Sequence, residues 1–193
     1  RFNVVSGWIT TVFLSEPGLK ARATLMAKLI RLGQACFEAR NYNTLLAVIS
    51  GLNCAAVNRL KFTKEEVSSK AKAMFEDLKA KMSSDASYKS IREILHNGEP
   101  PALPYLGVFL TDLTFIEDGN PDKLGNLINF KKRLYVYNVL SEIQSFQKVP
   151  FPFEVNELIQ TAIDNLQAVD NDALYKMSLA REGRNQQKHE LVQ

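Results

Sequence analysis

Four residues, Gly107, Thr111, Thr114 and Asp118, recur at i, i+4, i+7 and i+11, the steps that put side chains on one face of an α-helix. None is bulky or apolar, so the stripe is flat, small and polar, and it ends in one carboxylate. Such a face can approach another surface closely and bring a negative charge to it; the same pattern also fits a solvated helix face. A second group, Asn43, Asn53, Asn58 and Arg59, surrounds the apolar run between residues 44 and 52. These side chains read as caps and turns, or as donors and acceptors held out for a partner. Glu117 and Asp118 are types that do acid and base work. Adjacent helical residues point about 100° apart, however, so the two do not converge on one proton.

Covalent chemistry has little to draw on. The chain contains no GxxxxGK[ST], GxGxxG, HExxH or GxSxG pattern. Its two histidines, His96 and His189, and two cysteines, Cys36 and Cys54, show neither zinc-site spacing nor a CxxC. Free, buried thiols in a reducing compartment are the expectation for both cysteines. No enzyme with covalent intermediates, no cofactor and no metal is therefore expected.

The elements that would position these residues follow from apolar periodicity. A helix over residues 2–14 stops before Pro17, and a longer one spans about 18–40 with Leu25, Leu29, Leu32 and Cys36 buried. Asn43 is placed to cap a helix over 44–52. Thr63 and Glu66 form a capping box that opens a helix to about Met82. After a loop at 83–87, a short helix runs from Tyr88 to His96. The proline-rich GEPPALP forces an extended entry into the stretch from Pro104 to Asn120, PYLGVFLTDLTFIEDGN. There Leu106, Phe109, Leu110, Leu113 and Ile116 form a core-facing stripe opposite the small one. A return helix over 127–147, with Phe130, Leu134, Leu140 and Ile143 inward, completes a helical hairpin. Helices over 155–166 and 171–179 precede a tail, REGRNQQKHELVQ, expected to fray. No segment alternates with period two, so the fold class is all-α: one irregular helical domain with a projecting helical hairpin.

At 193 residues, 46% hydrophobic and 23% charged, the chain fits a single globular domain whose core needs no staples. Its 24 basic and 21 acidic residues are intermixed, giving +3 without a basic stripe, so nucleic acid is not implied. No apolar run reaches membrane-spanning length, and RFNVVSGW lacks a signal-peptide layout. A soluble cytosolic protein is expected, excerpted from a longer one.

Four ordered strings narrow the reading. LPYLGVFLTDLTFIEDGNPD with LINFKKR, NYNTLLAVISGLNCAAVNRLKFT, FNVVSGWITTVFL and LYKMSLAREGR together resemble the catalytic domain of Ras-type guanine-nucleotide exchange factors, the family that includes Son-of-sevenless. The resemblance covers essentially the whole chain, residues 1–193, and implies a domain short of its first helices. It also implies binding to a Ras-family small GTPase, of Ras, Rap or Ral type, and recruitment of a cytoplasmic protein to membranes by other domains or by the GTPase. In that family a helical hairpin wedges open the GTPase's first switch, which assigns Thr114 and Asp118 to nucleotide release. Leu46, Asn53, Asn58, Tyr88, Tyr105, Gly107 and Thr111 match positions where relatives touch the GTPase. Thr114 stands where some relatives carry leucine, Asp118 where they carry glutamate, and Gly183 where proline is usual.

Overall fold

The computed structural model describes residues 1–191, and its regular elements are helices apart from one two-stranded ribbon. Two compact units make it up: Arg1–Met82 with the residues from Glu154 on, and Ser83–Phe153.

In the first unit, α1 (Phe2–Ser15) and α2 (Leu19–Glu38) both pack on α3 (Tyr42–Leu52). Phe13, Leu14, Ile30, Leu45, Val48 and Leu52 are fully buried at their meeting. Burying side chains of this kind stabilises by about 1.5–3 kcal/mol each before entropy is subtracted. The cap of α3 is Asn41, whose Oδ1 accepts from the Thr44 amide at 2.9 Å; the expected cap, Asn43, lies inside the helix. Two residues separate these candidates, and composition alone does not choose between them.

After α4 (Ala55–Asn58), the expected helix from Thr63 is broken in two: α5 (Lys61–Glu66) and α6 (Ser69–Lys81). Ser68 caps α6 by accepting from Ala71, while Thr63 is fully buried inside α5 and caps nothing. Its hydroxyl instead accepts from Arg22 Nε at 2.9 Å and donates to Glu182 Oε1 at 2.7 Å. Helices α10 (Glu157–Asp164) and α11 (Asn171–Arg181) also belong to this unit. Helix α10 buries none of its residues, and Leu158 and Ile159 face outward.

The tail does not fray where expected. Arg181 donates to the Leu14 carbonyl at 2.7 Å, satisfying an open acceptor at the end of α1. Glu182 is buried, accepting from the amides of Phe62 and Thr63. Residues 188–191 form a 3₁₀ turn tied to Glu65 and Glu66 through Lys188, and the last two residues lie outside the described ones.

The second unit holds α7 (Asp85–Asn97) and the hairpin of α8 (Gly107–Gly119) and α9 (Phe130–Ser145). The return helix starts at Phe130, because residues 127–128 pair with 123–124 in an antiparallel ribbon. Its turn begins at Gly125, whose φ of +63° suits a two-residue connection. Only part of the expected inner stripes is inside. Phe109 is buried, but Leu106, Leu110, Phe130, Leu134 and Leu140 are exposed, and Ile143 is half-buried. A two-helix layer covers one seam on each helix, whereas periodicity marks every apolar position on a broad face. Cys36 and Cys54 are free and half-buried, and burial raises the Cys36 thiol above its ordinary range.

Candidate functional site

Along α8 the small stripe faces outward: Thr111, Thr114 and Asp118 are exposed and Gly107 is half-buried. The chemistry it offers differs from the polar face expected from residue types. Thr111 donates its hydroxyl to the Gly107 carbonyl at 2.8 Å, and Thr114 donates to Leu110 at 3.0 Å. Both hydroxyls are spent within the helix, a back-bond common for threonine, so the methyl groups supply most of what the stripe presents. Asp118 makes no ion pair among the described residues, while its neighbours Asp112, Glu117 and Asp122 are all paired.

The pairing of Glu117 and Asp122 runs through Lys132. Its ammonium, with the side chain 2% exposed, lies 2.9 Å from Glu117 and 3.0 Å from Asp122. Asn129 caps α9 by accepting from the Lys132 amide and donates its own side-chain amide to Pro121. Asn129 and Lys132 therefore pin the end of α8 to the start of α9. They belong to the string LINFKKR, and the sequence reading assigned no role to either; Lys132 lies between Lys131 and Arg133, so nothing local singled it out.

The charges of this tip titrate apart. Hydrogen bonding to Lys132 holds the Asp122 carboxyl below the usual carboxylate range, and the Lys132 and Arg133 charges add to the effect. Glu117, then Asp122, holds the Lys132 ammonium above the usual lysine value. A depressed carboxylate contributes stability above its unfolded pKa of about 3.9 and loses it as pH falls through the folded value. A raised lysine contributes fully below about 10.4 and loses it as pH rises through its folded value. The tip is therefore constant near neutrality and loosens in acid. A carbon-detected NMR titration is expected to place the Asp122 midpoint lower in the wild type than in Lys132→Met; equal midpoints contradict the linkage.

Tyr88 and Tyr105, both half-buried, meet with ring centroids 6.3 Å apart. Tyr88 ends an unusual first turn of α7: Ala86, Ser87 and Tyr88 have φ of 47°, 57° and 63°, all left-handed. For L-residues that conformation costs roughly 1–2 kcal/mol each, and it replaces the loop expected over 83–87. A Cβ on Gly107 would overlap the Tyr105 ring. Gly107→Ala is accordingly expected to push Tyr105 away and abolish NMR contacts between the two rings, with melting little changed. Persistence of those contacts would show that the glycine is not required there.

In the first unit, Leu46 lies on α3 and is half-buried, and Asn53, the C-cap of that helix, is exposed. Asn58 donates to the Asn53 carbonyl and accepts from Lys64 Nζ at 2.6 Å. The asparagines thus serve as turn formers, with their outer edges open. A cavity of about 210 Å³ beside them is floored by Met26, Ile30, Val67 and Phe75 and edged by Lys64. Lys64 was missed because its position on α5 follows from a break between α5 and α6 that sequence did not reveal. Arg59, beneath this loop, donates to Ser178 and to the Glu182 carbonyl. Among the described residues no cluster of His, Cys, Asp or Glu could hold a metal ion, and no helix is long and apolar enough to cross a membrane.

The family model described as "RasGEF domain" matches residues 1–134. Among curated relatives from Dictyostelium discoideum, Ras guanine nucleotide exchange factor J is 41% identical over 100% of this chain and 24% of its own length. Ras guanine nucleotide exchange factor I is 40% identical over 100% of the chain and 23% of its length, and factor K is 42% identical over 99% and 12%. The chain thus spans about a quarter or less of the length of these relatives. A family model matched over more than half the chain and by identities near 40% from end to end establishes that the chain belongs to the RasGEF domain family.

Proposed function

We propose that this chain binds a Ras-family small GTPase and expels its nucleotide by opening the first switch with the α8–α9 hairpin. One observation supports the reading most. The stripe of Thr111, Thr114 and Asp118 is exposed along α8, and its terminal carboxylate has no ion-pair partner among the described residues. Exchange makes and breaks no covalent bond. The factor has to bind the empty GTPase better than the loaded one, and by reciprocity the nucleotide is then weakened by the same factor. A 10⁴-fold weakening corresponds to about 5.5 kcal/mol of differential binding.

That differential has to be assembled from an apolar contact surface, since exposed ion pairs supply only about 0–1 kcal/mol each. Thr114 fills space against the first switch with its methyl group. Asp118 brings negative charge toward the metal and phosphates, repelling the phosphates and competing for the cation. Leu46, Asn53 and Asn58 contact the second switch, as does Tyr88, and Tyr105, Gly107 and Thr111 are further contacts to the GTPase. The test is release of fluorescent GDP from a panel of Ras, Rap and Ral GTPases. Acceleration of at least one member is expected. Binding without acceleration would make the chain a GTPase-binding adaptor instead.

A further inference from the structure

We infer that Arg92 is a positioning residue that locks the turn carrying Tyr88 to the helix carrying the Thr111, Thr114 and Asp118 stripe. This rests on the exchange reading above for its functional consequence, though not for its geometry. Three guanidinium nitrogens of Arg92 are used. Nε donates to the Ser87 carbonyl at 2.8 Å, in the middle of the left-handed turn. Nη1 and Nη2 donate to the two carboxylate oxygens of Asp112 at 2.8 and 2.7 Å, a bidentate pair one residue from Thr111 on α8.

A left-handed run of three residues with side chains persists only where surrounding contacts hold it. Contacts that hold it include the Arg92 bond to Ser87, the bond from the Tyr88 amide to the Ser84 carbonyl at 3.3 Å, and the Tyr88 ring against Tyr105. Two of these lead toward α8, since Arg92 continues to Asp112 and Tyr105 seats against Gly107. Both ends of the pair are about one-third exposed. Planar fork geometry rather than charge sets the register, because a lysine cannot reach one carbonyl and two carboxylate oxygens at once. Contacts to the second switch, through Tyr88, and to the first, through α8, thereby become parts of one rigid piece. Displacing one displaces the other.

The experiment uses Arg92→Lys, Asp112→Asn and the double variant of this chain, with two readouts. Amide hydrogen exchange of residues 84–89 is measured without any GTPase. Asp112→Asn is expected to speed it about tenfold although the substitution lies on another helix; unchanged protection overturns the coupling. Nucleotide release is measured against a GTPase that the wild type accelerates. Each single variant is expected to lower kcat about tenfold with KM changed less, and the double variant to lose no more than either single, as members of one unit do. Loosened amides with unchanged kcat overturn the positioning role. So does a loss explained by lowered melting alone. A wild type that accelerates no GTPase rejects the exchange reading itself, and is distinguished because the amide arm still reports on the lock.

Discussion

Asp118→Ala is expected to slow nucleotide release at saturating factor by about tenfold or more, with affinity for the nucleotide-free GTPase little changed. A tenfold loss corresponds to about 1.4 kcal/mol of transition-state stabilisation. That is modest for one charge a few ångströms from a phosphate in a partly dry interface, where interactions reach about 4 kcal/mol. The effect is expected to be directional because, on the proposed mechanism, the carboxylate acts on phosphates and metal, which are absent from the empty complex. A substitution that removes something felt only during expulsion lowers kcat and leaves binding of the empty state intact. Asp118 is free to act in this way because it is exposed and unpaired among the described residues, whereas Glu117 is tied to Lys132. Equal release rates for wild type and Asp118→Ala would remove the acid from the mechanism.

The largest effect on stability is expected from Glu182→Ala. Glu182 is 3% exposed and accepts from the Phe62 and Thr63 amides at 3.0 and 2.7 Å and from the Thr63 hydroxyl at 2.7 Å. Arg22, 0% exposed, lies beside it at 3.8 Å and makes its remaining bonds to Thr63 and to the carbonyls of Glu16 and Pro17. Burial pushes the Arg22 pKa down, and Glu182 is the first charge that pushes it back. Removing one partner of a buried ion pair costs roughly 3–5 kcal/mol, because the other charge is left uncompensated. In a domain of this size the melting temperature should fall by about 10 °C or more. Glu182→Gln retains the acceptor oxygen and should lose less. A calorimetric melt of Glu182→Ala within about 2 °C of wild type would show that the network holds nothing together.

The parts of this molecule that sequence displayed are those set by local rules. The breaks at Pro17, at the proline-rich entry to α8 and at Gly119 follow from what proline and glycine deny a helix, and the elements end near them. The small stripe on α8 follows from helical spacing alone, and its Thr111, Thr114 and Asp118 are exposed while Gly107 is half-buried. Thr63 was misread because its pattern fits a cap, while its partners Arg22 and Glu182 lie 41 and 119 residues away. Glu182 was assigned to a loose tail because nothing local distinguishes a charged residue clamped by distant amides from a solvated one. The left-handed turn at Ala86, Ser87 and Tyr88 contains no glycine or asparagine to announce it. The exposure of Phe130 and Leu134 was hidden for a different reason: a period shows which residues share a face, but not what covers it.

The most direct measurement is binding of this chain to one GTPase in two states, GDP-loaded and nucleotide-free, alongside the rate at which fluorescent GDP leaves. A domain that opens the first switch holds the empty form far more tightly, by a factor near 10⁴, and speeds release in proportion to its occupancy. Equal affinity for both forms, with release at its spontaneous rate, would contradict the account at its root.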